Sequence, residues 1–199
     1  MNRTTFSAFA VALLVCSTPV LADDAALKSM LHSFQPEGQA TLERLYQDET
    51  QSTCSMYRPG KPIPKAVSGR IEKINMQMIT YPAKLMGDWR SGERIAQSGI
   101  GMQYSDDYKR GAGANCYACH QLSPQELSFG TIGPSLRNFG KQRGTSEAIV
   151  KYTYGKIYNA HAYSACSNMP RFGANGILTQ AQIADLTALL LDPESPVNK

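Results

Sequence analysis

The chain has 199 residues and is weakly basic, since 20 lysine and arginine residues against 16 aspartate and glutamate residues give a formal net charge of +4. The basic residues are scattered and never form a run of five, which favours a solvated surface and argues against a nucleic-acid-binding protein. Beyond residue 22 we predict no membrane span, and the length suits one domain with an extension.

Residues 1–22 have the three parts of a secretory signal peptide. Arg3 supplies the positive charge, residues 6–15 form an apolar run, and residues 20–22 end in a small side chain, so we expect cleavage before Asp23. A retained membrane anchor is the alternative, but the apolar run is about half as long as a span requires. The mature chain is therefore expected in the periplasm, which is an oxidising space.

Residues 23–84 contain no cofactor-binding motif and predict an N-terminal extension that is partly helical. Apolar residues at helical spacing predict a first helix, and a second apolar stripe predicts another helix that ends before Thr53. The two stripes are Leu27, Met30, Leu31 and Phe34, then Leu42, Leu45 and Tyr46. Residues 58–64 predict a turn or extended connector because prolines remove amide donors. Residues 71–79 return to an apolar rhythm whose type stays open.

The main domain is expected to span residues 85–199. Residues 87–96 predict a helix that is capped by Asp88 or Ser91 and stopped by Gly99. Residues 99–114 contain four glycines and read as an inserted loop before the next motif.

The pentapeptide Cys116-Tyr117-Ala118-Cys119-His120 has the C-x-x-C-H spacing at which a c-type haem is attached. Two thiols at this spacing can form thioethers to one porphyrin, and the adjoining imidazole of His120 becomes the proximal iron ligand. We therefore predict one covalently attached haem c. A disulfide loop or half of a zinc site is the alternative, but no second C-x-x-C or H-x-x-x-H pair completes a zinc site.

The segments after the motif are expected to orient His120 and to close the core. A proximal histidine needs an acceptor for its second ring nitrogen, and the carbonyl of Pro134 is placed to serve. Residues 146–154 predict a short helix, and residues 179–182 form a capping box for a terminal helix that Pro193 ends. The stripe of the terminal helix is Ile183, Leu186 and Leu190. We expect that stripe to pack against the helix near residues 89–95.

The sixth iron position decides between electron transfer and ligand binding. Met169 is the best candidate, because it is the only methionine after His120 and Pro170 stiffens its loop. His161 is the runner-up, Cys166 is a third option if it stays reduced, and His32 ranks lower.

Two cysteines remain after the haem thiols and Cys16 are set aside. Cys16 is expected to leave with the signal peptide, because a valine precedes it where a lipoprotein site needs a small residue. In an oxidising space we hypothesise a disulfide between Cys54 and Cys166, with a free thiol or an intermolecular bond as alternatives.

Four segments carry a resemblance to a known family: NCYACH at 115–120, GTIGPSL at 130–136, YNAHAYSACSNMPRFG at 158–173 and LLLDPESPVN at 189–198. They resemble the SoxX family, and the resemblance extends over roughly residues 79–198. It implies an all-α, class I cytochrome c-like domain with an N-terminal extension. It also implies His120 and Met169 as the iron ligands, with Cys116 and Cys119 as the haem attachments.

The resemblance further implies a heterodimer with the SoxA cytochrome. Such a complex is an L-cysteine S-thiosulfotransferase, which couples thiosulfate oxidatively to a cysteine of the SoxYZ carrier and passes electrons to a downstream cytochrome c. The catalytic haem is expected in SoxA, and no catalytic residue is expected in this chain. A free-standing periplasmic electron carrier is the alternative, and a ligand-binding or peroxidase-like protein would require an open sixth position.

Overall fold

A computed structural model describes residues 22–57, 61–107, 109 and 111–199, with the side chains of residues 22–24 left out. Residues 1–21 of the predicted signal peptide, including Cys16, and residues 58–60 of the predicted connector lie outside the described residues. The chain divides into two compact units, residues 1–35 and residues 36–199. In the first unit, helix α1 spans Ala22–Ser33, which confirms the first predicted helix although Phe34 lies just beyond its end.

The second unit contains six further α-helices among its described residues, joined by loops and 3₁₀ turns. They are α2 (Glu49–Met56), α3 (Lys65–Gln77), α4 (Trp89–Gln97), α5 (Phe139–Arg143), α6 (Glu147–Tyr158) and α7 (Gln180–Leu191), with 3₁₀ turns at Leu42–Leu45, Cys116–Ala118 and Ala160–Ala162. The one β-type pairing in the described residues is an isolated bridge between Glu37 and Ala40. No helix of the described ranges is both long and apolar enough to span a membrane.

Helix α7 is the centre of the core and packs against α4, α5 and α6. Its capping box is present, because the Thr179 hydroxyl accepts from the Gln182 amide and the Gln182 side chain accepts from the Thr179 amide. Leu189 is fully buried, and α4 crosses α7 at Gly92, where a Cβ would overlap the backbone of Asp185. The predicted contact between the terminal helix and α4 is therefore confirmed.

The second predicted helix of the N-terminal region was wrong in its bounds. Residues 42–45 form only a 3₁₀ turn, and a separate helix, α2, starts at Glu49 and runs past Thr53. Asp48 causes the break, because its carboxylate accepts from the Gln51 amide at 2.8 Å and so caps a new helix. The open question at residues 71–79 is answered by helix α3, which ends at Gln77.

Helix α3 and the 3₁₀ turn at Ala160–Ala162 are joined by buried amides. The Asn159 Nδ2 donates to the Asn75 side chain at 2.9 Å, and the Asn75 Nδ2 donates to the Thr50 hydroxyl at 3.0 Å. Asn75 and Asn159 are fully buried, and their paired amides avoid the free-energy penalty of an unsatisfied buried group. This network fastens residues 50–75 to the segment that precedes Met169.

Two further segments define the surroundings of the site. The loop at 99–114 is closed at its base, since the Asn115 amide donates to the Ser98 carbonyl at 3.0 Å. Helix α6 begins after Ser146, as predicted, but continues to Tyr158 rather than ending at residue 154.

Candidate haem site

The C-x-x-C-H segment forms one tight turn at the end of the 99–114 loop. Asn115 has a left-handed backbone with φ of 44°, and the His120 amide donates to the Cys116 carbonyl at 2.9 Å. Cys116 and Cys119 are free thiols, not bonded to each other. Burial raises the pKa of the Cys116 thiol to about 12.

The imidazole of His120 is fixed from two sides. Its Nδ1 lies 2.7 Å from the Pro134 carbonyl oxygen, which confirms the acceptor predicted from the sequence. A carbonyl can only accept, so Nδ1 carries the proton and Nε2 keeps a free lone pair for a metal ion. The ring lies against Gly133, where a Cβ would overlap three ring atoms. The geometry therefore presents one nitrogen of His120 in a set orientation.

One cavity is lined by Cys116, His120 and Met169 together. The remaining lining side chains are aliphatic or aromatic and come from α6, α7 and the flanking loops; they are Leu122, Leu136, Ile157, Phe172, Leu186, Leu189 and Leu190. Cys119 does not line the cavity but is part of the same turn. The structure thus brings three of the four predicted site residues to a single apolar space.

The residues present fit a haem c. The donor set consists of two unpaired thiols at attachment spacing, an imidazole with a free Nε2 and a thioether sulfur. The lining is otherwise apolar, as a porphyrin face requires. Among the described residues, no three His, Cys, Asp or Glu side chains form a group that could hold a bare metal ion.

Two of the other candidates for the sixth position lie away from the cavity. His161 is buried in its 3₁₀ turn and does not line the cavity, and burial together with the Arg171 charge lowers its pKa. Cys166 is joined to Cys54 in a disulfide and has no thiolate to offer. His32 is exposed on α1. Met169 is the best candidate, because it lines the same cavity as His120.

A half-buried carboxyl, Glu93, lies behind the C-x-x-C-H turn and was not predicted from the sequence. The Tyr117 hydroxyl donates to Glu93 at 2.9 Å, and the Gln97 side chain donates to the same oxygen at 2.7 Å. The other oxygen, Oε2, is buried without a hydrogen-bond partner among the described residues, and burial raises the pKa of Glu93. The one sequence feature that could have indicated the partial burial of Glu93 is its position on α4, between the buried Gly92 and Ala96.

A family model and two individual proteins are similar to this chain. A model of the cytochrome c family matches residues 108–192. An uncharacterized lipoprotein of Aquifex aeolicus (strain VF5) is 41% identical over 159 residues, which cover 77% of this chain and 73% of that protein. The crystal structure of SoxXA from P. pantotrophus includes a chain with 26% sequence identity and a TM-score of 0.41, covering 59% of this chain and 95% of that one.

Proposed function

We propose that this chain, which contains a cytochrome c domain at residues 108–192 and has an all-α, class I cytochrome c-like fold, is a SoxX-type electron-transfer subunit with one haem c. A cytochrome c domain implies a covalently bound haem and electron transfer. The identification with SoxX rests on the sequence motifs at 115–120, 130–136, 158–173 and 189–198.

The observation that carries the proposal is that His120 and Met169 line the same apolar cavity. The imidazole of His120 and the thioether of Met169 would then be the two protein ligands of the iron. A haem c held in this way would supply one-electron exchange at its iron. With both ligands supplied by this chain, the iron would not bind a substrate, and bond-making chemistry would belong to a partner protein.

Each of the site residues has a distinct role in this proposal. Cys116 and Cys119 attach the porphyrin covalently, and His120 ligates through Nε2 because Nδ1 is held by Pro134. Met169 would supply the second iron ligand, and a thioether ligand raises the reduction potential relative to a second imidazole. The buried Phe172 lines the cavity and excludes water from this side.

The proposed partner is a SoxA-type cytochrome that contains the catalytic haem. The pair would act as an L-cysteine S-thiosulfotransferase on the SoxYZ carrier, and this chain would pass the electrons to a downstream cytochrome c. We place the complex in the periplasm, after removal of residues 1–22. Residues 23–84 are the proposed extension and residues 85–199 the proposed cytochrome c domain.

One of the SoxX-like motifs has a structural role in this chain. In the tail at 189–198, the Asn198 Oδ1 accepts from the Gly140 amide at 2.9 Å, and its Nδ2 donates to the Leu190 carbonyl at 3.0 Å. Val197 and Ser195 are fully buried. The tail motif therefore joins α5 to α7.

Purification of the tagged full-length chain from its native periplasm tests the proposal. We expect a second c-type cytochrome to co-purify in stoichiometric amount, and thiosulfate with the carrier protein to reduce the haem of this chain. A strictly monomeric isolate whose haem is not reduced by thiosulfate would contradict the proposal and favour a free-standing electron carrier.

A further inference from the structure

The loop of Met169 is held by the N-terminal segment on its amino-terminal side. Cys166 stands three residues before Met169 and forms a disulfide with Cys54 in helix α2, with a Cα–Cα distance of 5.4 Å. Cys166 has φ of 57°, in the left-handed region that residues with a side chain rarely adopt. The disulfide therefore fixes the backbone at Cys166, a residue whose left-handed conformation is unfavourable.

The same loop is held on its carboxyl-terminal side by a charge. Arg171 stands two residues after Met169, and its guanidinium forms an ion pair with the carboxylate of Asp48. The Arg171 side chain is only 5% exposed, while Asp48 is 47% exposed. Asp48 is also the residue that caps α2, so both attachments lead to the two ends of one helix.

The loop between these attachments has no regular secondary structure. Residues 164–171 contain only turns and bends after the 3₁₀ turn at Ala160–Ala162. The Met169 amide donates to the side chain of Ser167 at 3.2 Å, a local contact within the loop. Met169 itself packs against the core, and the position of its sulfur thus depends on that packing and on what holds the two ends of the loop.

We propose that helix α2 is a positioning clamp for Met169, in which the Cys54–Cys166 disulfide and the Asp48–Arg171 ion pair hold the thioether at the haem cavity. The inference rests on the proposed ligation by Met169. It gives the N-terminal segment a role in haem ligation that is separate from attachment of a partner. Without the clamp, Met169 leaves its position while the helical core and the His120 side stay in place, because neither Cys54 nor Asp48 contributes to the core around α7.

The test uses the haem-loaded full chain with Cys54→Ser and Cys166→Ser combined. Three properties are measured: the charge-transfer band of methionine-ligated ferric haem, the midpoint potential, and carbon monoxide binding to the reduced protein. We expect the methionine band to weaken, the potential to fall, and carbon monoxide binding to speed up by about tenfold or more. Far-UV circular dichroism and the Soret band should stay native, which a general loss of folding would not allow.

The outcomes separate the clamp from the proposed function. A native methionine band in the wild type that is unchanged in the folded double variant, with unchanged carbon monoxide binding, would overturn the clamp alone. A wild type that lacks the methionine band would instead overturn the ligation by Met169. Should the double variant fail to fold, Asp48→Asn keeps the disulfide, with Glu49→Gln on the same helix as its control. Faster carbon monoxide binding in Asp48→Asn than in Glu49→Gln supports the clamp, and equal rates overturn it.

Discussion

Replacing Asp48 by asparagine removes a charge from a nearly buried arginine and leaves the helix cap in place. Asparagine caps helices about as well as aspartate, so the Gln51 amide keeps an acceptor. The change therefore isolates the ion pair between Asp48 and Arg171.

The burial of Arg171 and Asp48 sets how much free energy of unfolding the substitution should remove. Breaking a fully buried ion pair costs roughly 3–5 kcal/mol, because the remaining charge is left without compensation, whereas exposed pairs contribute about 0–1 kcal/mol. The Arg171 side chain is 5% exposed and Asp48 is 47% exposed, so this pair falls between the two cases. We expect Asp48→Asn to lower the free energy of unfolding by about 2 kcal/mol.

Urea unfolding followed by far-UV circular dichroism measures this change, with Glu49→Gln as the matched control. Glu49 is the next residue on α2, and it pairs with Arg70 at 3.4 Å where both side chains are more than half exposed. In the control variant, the free energy of unfolding should fall by less than about 0.5 kcal/mol. Equal and small losses in both variants would refute the reasoning from burial.

The same carboxylate gives a pH dependence with a defined sign. Burial acts to raise the pKa of Asp48, but the Gln51 amide and the Arg171 charge outweigh it and lower the pKa below the ordinary value of 3.8. The stability that Asp48 contributes is therefore full above its unfolded pKa and is lost as the pH falls through the folded pKa. Asp48→Asn should lack this part of the acid transition, and unfolding curves below pH 4 that match the wild type would contradict it.

Three more predictions test other parts of the structure, the first with a matched control substitution. Gly92→Ala should lower the free energy of unfolding by about 2 kcal/mol, because the added Cβ overlaps the backbone of α7. Gly69→Ala, where the added Cβ meets open space on α3, should leave the free energy of unfolding equal or slightly higher. Urea unfolding measures both changes, and equal effects would refute the close crossing of α4 and α7. Gly133→Ala should displace the His120 ring and reduce the yield of haem-loaded protein, read from Soret absorbance per chain; an unchanged yield and spectrum would contradict the packing. Burial raises the pKa of Glu93 in the folded chain above its ordinary value of 4.5, so the folded chain binds the carboxyl proton more tightly than the unfolded chain does. The stability that this proton contributes is full below the unfolded pKa and is lost as the pH rises through the folded pKa. Glu93→Gln should flatten that fall in urea unfolding, and an unchanged pH profile would count against it.

The features that the sequence predicted well are those encoded within a few residues. The turn at Cys116–His120, its acceptor at Pro134 and the capping box at Thr179 each follow from short-range chemistry. The pairing of Cys54 with Cys166, expected from the count of cysteines in an oxidising space, is present in the structure.

The features that the sequence could not supply depend on distant residues. The apolar stripe at 42–46 predicts a helix that continues past Asp48, and it gives no sign that Asp48 caps a new helix. The cap is stabilised further by Arg171, which lies 123 positions later in the sequence. The burial of Glu93 depends on Tyr117 folding back over α4, which no local pattern reveals. The close approach at Gly92 likewise requires α7 to be in place.

The central claim is that His120 and Met169 fill both axial positions of one haem. Its most direct test is the near-infrared spectrum of the oxidised, haem-loaded full chain, measured for the wild type and for Met169→Ala. We predict a methionine-to-iron charge-transfer band in the wild type that disappears in the variant, together with new carbon monoxide binding by the reduced variant. A wild-type spectrum without this band, or a band that survives in Met169→Ala, would contradict the account.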